Sequence, residues 1–156
     1  MIHKKKLFFT FLFPALINSN ALFAQESLSS DELFQKARSA AFDQKDYAFA
    51  IQLSKQALNI SPDYADIRIF LGRVYNWSDK IDSARICFEK VLNQSPENED
   101  AVSAYVDMEY WNRNPLQALS ICEKGLEFHP ESKILLLKKA KCLSDLIVLS
   151  FIYDNV

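Results

Sequence analysis

The side chains able to do chemistry are few and scattered. The 156 residues include two histidines: His3 near the start and His129 just before Pro130. Two histidines so far apart do not provide the ligand spacing of a metal cluster. Cys87, Cys122 and Cys142 make an odd count, which closes no disulfide framework. No glycine-rich loop is present to cradle phosphate. No serine or cysteine stands in a nucleophile context. Carboxylates are numerous, in runs such as SPENED and EKGLE. They are expected on solvated helix faces, not in a general acid–base pair. The expectation is a chain without catalytic residues, metal or cofactor, whose chemistry is recognition by a surface.

One pattern fits that chemistry. Asp66, Phe70, Arg73 and Trp77 follow the spacing i, i+4, i+7, i+11, one stripe of a helix. Asp100, Ala104, Asp107 and Trp111 repeat the stripe 34 residues later. Tryptophan and arginine are the residues most enriched at binding hot spots. Arg73 and Asp107 would be the charged contacts, with Trp77 and Trp111 as aromatic anchors. The competing reading is structural: each tryptophan covers its helix end and supplies core area.

The stripes must be held by something, and the chain shows what. Pro62, Pro96 and Pro130 are spaced by 34 and 34. The same shift superimposes Ala50, Ala84 and Ala118, and Leu58, Leu92 and Leu126. It also superimposes Leu33, Ile67, Ala101 and Leu135, and Ala40, Val74, Met108 and Cys142. With only two glycines and 49% hydrophobic residues, the chain reads as helical, with few tight turns. Seven helices are expected, near 31–44, 47–60, 64–77, 81–94, 98–112, 116–128 and 132–146. Ser29 and Glu32 have the spacing of a capping box. Asn114-Pro115 suits a cap followed by a first-turn proline. The cysteines fall at apolar positions of this pattern and read as small buried hydrophobes, although one pair could oxidise in an exported chain.

A 34-residue helix–turn–helix period resembles the tetratricopeptide repeat (TPR). Leu71, Gly72, Tyr75, Ala84, Phe88 and Pro96 carry the resemblance, which covers about 31 to 146. It implies an all-α solenoid, a right-handed superhelix of repeats at 31–64, 65–98 and 99–132 with a partial unit at 133–146. It also implies that Gly72 and Ala84 let the two helices of one repeat pack closely, and that each proline ends a second helix. Repeat 1 departs at Arg38 and Ser54, where repeat 2 has Gly72 and Phe88. Repeat 3 departs at Val106 and Cys122. In the family, first helices line a concave groove that binds partner proteins or peptides, so the two stripes become groove candidates. Some members grip a peptide carboxylate with paired lysines and asparagines. The matching columns here hold Asp66, Ile69, Phe70 and Arg73, then Asp100, Ser103, Ala104 and Asp107, so that clamp is absent.

The two ends differ from the repeats. MIHKKK, the apolar run Leu7–Ile17 and the small residues before Gln25 have the pattern of a secretory signal peptide, 1–24, followed by a linker at 25–30. Eleven apolar residues are too few to span a bilayer as a helix. Loss of 1–24 removes Lys4, Lys5 and Lys6 and no acid, taking the formal charge from −2 to −5. That acidity speaks against nucleic acid as a partner. SKILLLKKAKCLSDL looks like the first helix of a fourth repeat. The apolar tail 147–156 either prolongs that helix or marks a truncation. The run 71–119, followed by LLLKKAKCLSDL at 135–146, also resembles the periplasmic repeats of YaiO-type outer membrane proteins, through Gly72-Arg73, Tyr75, Trp77, Asp100-Ala101, Asp107, Trp111 and Lys139-Ala140. In that family such repeats precede a membrane β-barrel, for which no strands are present here. The expected function is an exported, periplasmic interaction module, with only indirect membrane association. The alternatives are a truncated YaiO-like fragment without independent activity and an accessory in surface polysaccharide export.

Overall fold

The computed structural model describes residues 28–153. The signal-peptide reading, with His3 and Lys4–Lys6, lies outside them, as do residues 154–156. Among the described residues seven helices follow one another: α1 Ser30–Phe42, α2 Tyr47–Ile60, α3 Ala65–Trp77, α4 Ile81–Gln94, α5 Glu99–Trp111, α6 Pro115–Phe128 and α7 Lys133–Tyr153. No strand occurs among the described residues. Helices pack in chain order, each on the next. First helices also touch one another, α3 on α5 and α5 on α7.

The superimposed columns are the core. Ile67, Ala101 and Leu135 are fully buried, and Leu33 nearly so. Ala40, Val74, Met108 and Cys142 are buried on the other turn of the same faces. Ala50, Ala84 and Ala118 have no exposed surface, which lets the second helices approach closely. At Gly72 a Cβ would stand 2.8 Å from the buried Phe88 ring and 3.2 Å from the Cys87 Cβ. Glycine there costs about 1 kcal/mol of helix propensity. The close α3–α4 contact offsets it by burying apolar area. Gly125 is the second close approach, since a Cβ there would come within 2.5 Å of Val102. All three cysteines are buried and free.

The helix ends follow local chemistry. Ser29 and Glu32 form the complete capping box, with the Ser29 backbone N–H donating to Glu32 Oε2 at 2.8 Å. Asp46 and Asn98 accept from the backbone N–H groups of Phe49 and Ala101. Asn114 behaves differently from its expected role. Pro115 does open α6, but the Asn114 side chain makes no cap bond. Its amide donates instead to Glu109 Oε2 at 3.0 Å. Pro62, Pro96 and Pro130 each stand two residues past a helix end.

The turn inside each repeat uses one residue with left-handed backbone: Lys45 (φ 58°), Asp79 (φ 59°) and Arg113 (φ 62°). These positions share the 34-residue period. The next position in that column is Ile147. A β-branched residue is a genuine outlier at positive φ, and its neighbours Leu146 and Val148 are apolar where the earlier turns are polar. No turn forms there. α7 runs on for 21 residues, so 147–153 prolong the last helix beyond its expected end at 146.

Candidate functional site

First helices supply one wall of the molecule, and the two predicted stripes meet on it. Asp66, Phe70, Arg73 and Asp100 border a hollow of about 230 Å³ that also reaches Phe34, Arg38 and Phe42 of α1. Arg73, Trp77, Asp107 and Trp111 border the next hollow, of about 210 Å³, floored by Ala104 and Met108. Arg73 belongs to both. The two hollows therefore form one path across α1, α3 and α5.

The first hollow has aromatic walls. Phe34 meets Phe70 edge-on at 5.4 Å between centroids. Phe42 lies 6.0 Å from Phe70 and 5.5 Å from Trp77, and Trp77 lies 6.0 Å from Tyr47. Phe70 is only 6% exposed, so this predicted contact residue is chiefly wall. Trp77 is 41% exposed and Trp111 67%. Trp77 serves both readings: one edge packs on repeat 1, the other faces the second hollow. The Arg38 guanidinium lies over the Phe34 ring, 5.8 Å from its centroid.

Charge along the path alternates. Asp66 and Asp100 flank Arg73 around the first hollow. Asp107 is already engaged, since Lys138 of α7 donates to its Oδ1. Lys141 of α7 stands 4.3 Å from the Tyr110 ring and 4.2 Å from that of Trp111, and so fixes the far end of the path. Tyr110 donates its hydroxyl to Asp145, and this bond raises its pKa to about 12.

Two features escaped the sequence reading. The α1 wall of Phe34, Arg38 and Phe42 is spaced i, i+4, i+8, but those are not the columns of the α3 stripe shifted back by 34. The second is Glu109, fully buried although acidic residues were expected on solvated faces. Arg85 Nε donates to its Oε1 at 2.8 Å, and Asn114 satisfies Oε2. That bond holds the Arg85 guanidinium well above its ordinary pKa, against the burial that lowers it. The hint was an arginine and an acid at inward-facing helical positions. His129, the one histidine described, places Nε2 within hydrogen-bond distance of the Glu97 carbonyl and so tethers successive turns. Among the described residues no cluster of three metal-ligating side chains occurs, and no helix is long and apolar enough to cross a membrane.

Residues 41–107 match the family model of the tetratricopeptide repeat. The chain has the tetratricopeptide-repeat fold. The Sgt2 TPR domain of Aspergillus fumigatus superimposes with a TM-score of 0.68 at 23% identity, over 78% of this chain and 81% of that one. The first TPR of Spaghetti (RPAP3), solved with the HSP90 peptide SRMEEVD, gives 0.65 at 17%, over 76% and 94%. The Arabidopsis OM64 TPR domain gives 0.64 at 14%, over 75% and 96%. No curated protein matches the chain. The TPR matches carry the predicted seven-helix solenoid. They do not extend to the narrower YaiO resemblance.

Proposed function

We propose that this TPR solenoid is a non-enzymatic interaction module that binds an extended segment of a partner protein along its concave path. The observation that carries this is Arg73, placed between two adjoining hollows with aromatic side chains around both. Such a site offers apolar pockets for side chains and a cation shared by both hollows to fix register, the usual composition of a hot spot. A TPR domain of the same fold is solved with a bound peptide. The ligand read here is an internal stretch and not a free C-terminus. The columns of the carboxylate clamp supply two aspartates around Arg73 and a third, Asp107, beyond it. Residues 1–24 direct export in this reading, supported by the MIHKKK start and the apolar run Leu7–Ile17. The partner is then a periplasmic protein or the soluble part of an outer membrane protein.

The test uses the only two tryptophans in the chain, both on this path. A peptide selected from a displayed library should change their fluorescence on binding. Arg73→Ala with Trp77→Ala should weaken binding tenfold or more, roughly 1.4 kcal/mol, with helicity unchanged. A selected peptide whose affinity ignores the double variant would place the site elsewhere.

A further inference from the structure

A trench lies apart from the path of the first helices. Side chains of α2, α3 and α4 border it, around a volume of about 520 Å³. Leu58, Leu71 and Cys87 are its buried apolar lining, and Ile86 adds an exposed one. Its charged residues are all cations: Lys55 of α2, Arg68 of α3 and Lys90 of α4. No carboxylate borders it. Among the described residues none of the three cations enters an ion pair. Arg68 donates to the Pro62 carbonyl, which fixes its guanidinium at the trench. Burial raises the Cys87 thiol pKa while Arg68 and Lys90 pull against it, so both charges are felt at the buried lining.

The next repeat supplies a comparison. Shifted by 34 residues, the same trench recurs with a volume of about 470 Å³. Leu92, Asn93 and Pro96 stand for Leu58, Asn59 and Pro62. The charges do not repeat. Glu89 stands for Lys55 and Val102 for Arg68, and Glu127 adds a second acid. Lys124 alone matches its counterpart, Lys90. Glu89 is also engaged, accepting from the Tyr105 hydroxyl at 3.0 Å. Stacking of repeats therefore needs the apolar frame, which both trenches share, but not the three cations. The whole chain carries a formal charge of −2, so a purely cationic trench runs against its own background.

We propose that the trench bordered by Lys55, Arg68 and Lys90 is a second binding site, for an acidic extended segment of a partner protein. Three cations from three helices, with no acid among them, are complementary to a run of carboxylates. The shape selects an extended chain. Lys55, Asn59, Pro62, Ile86 and Lys90 are all exposed, so the trench is open along its rim. A small-molecule pocket instead encloses most of its ligand. The apolar lining receives side chains that lie between the carboxylates of the segment. The trench shares no residue with the two hollows around Arg73, so the two sites fill independently.

Fluorescence anisotropy with a labelled decapeptide of alternating glutamate and leucine tests this on the full chain at low salt. The peptide should bind about tenfold or more tightly than its counterpart with glutamine in place of glutamate, and added salt should weaken it. Lys55→Glu with Lys90→Glu, both at exposed positions, should lower the affinity about tenfold or more, with helical circular dichroism retained. Lys36→Glu with Lys124→Glu makes the same change in net charge at exposed positions outside the trench, and should bind like the wild type. Equal affinity for the two peptides would overturn the proposal. So would undiminished binding in the folded Lys55→Glu, Lys90→Glu variant, or an equal loss in the control pair. Binding to phosphatidylglycerol vesicles but not to the peptide, abolished in the same variant, would assign the cations to a membrane surface and overturn it too.

Discussion

Arg85 Nε donates to Glu109 Oε1 at 2.8 Å and joins α4 to α5 across the boundary of two repeats. The carboxylate is buried while the guanidinium keeps about a third of its surface. Removing one partner strands the other. Arg85→Ala should destabilise by about 3 kcal/mol, the scale for breaking a buried pair. Arg85→Met with Glu109→Leu should recover most of it. Urea denaturation of the two variants checks this, and equal losses would mean that the carboxylate is not desolvated.

Gly72→Ala should destabilise by about 1–2 kcal/mol although alanine is the better helix former. The new methyl would meet the Phe88 ring at 2.8 Å, and that fully buried ring must shift to admit it. A raised melting temperature would remove Gly72 from the α3–α4 contact.

Lys45→Gly, Asp79→Gly and Arg113→Gly should each stabilise, by about 0.5–1 kcal/mol, since each side chain is held at positive φ. Thermal melts of the three single variants would show this, and a loss at all three would mean that their side chains matter more than their backbone.

Burial pushes the thiol pKa values up, that of Cys87 to about 11 from an ordinary 9.0, and those of Cys122 and Cys142 in the same direction. The folded state therefore holds protons that the unfolded state releases. This stability is complete below pH 9 and is lost as pH rises towards 11. Urea midpoints should fall over that window. Alkylation at pH 8 should be slow in the fold and fast in urea. Rapid labelling of the native chain would show that the cysteine sites open.

Lys141→Gln should free the end of the path. A cation over exposed rings contributes about 0.5–1 kcal/mol, so the loss of stability is small. The readout is the fluorescence of Trp111, which should change while far-ultraviolet dichroism does not. Unchanged emission would mean that Lys141 does not rest on the ring in solution.

The period of 34 was legible because each repeat meets the same neighbours, so buried columns recur. Leu33, Ile67, Ala101 and Leu135 could be read without coordinates, and so could the capping box at Ser29. The first-helix stripe was half legible. Spacing alone placed Asp66, Arg73, Trp77, Asp107 and Trp111 on one face. It did not show that Phe34, Arg38 and Phe42 complete the first hollow, because that wall is set by how α1 leans on α3. Glu109 was misread for a similar reason: an acid looks solvated until a partner 24 residues away arrives to pair with it.

The sequence by itself determined the number of helices, their order and their buried faces, since these follow from local periodicity and short-range turn chemistry. Tertiary structure decided which side chains share a hollow, which carboxylate is desolvated and which face of α7 stays open. Those depend on distances between helices, which local periodicity does not fix.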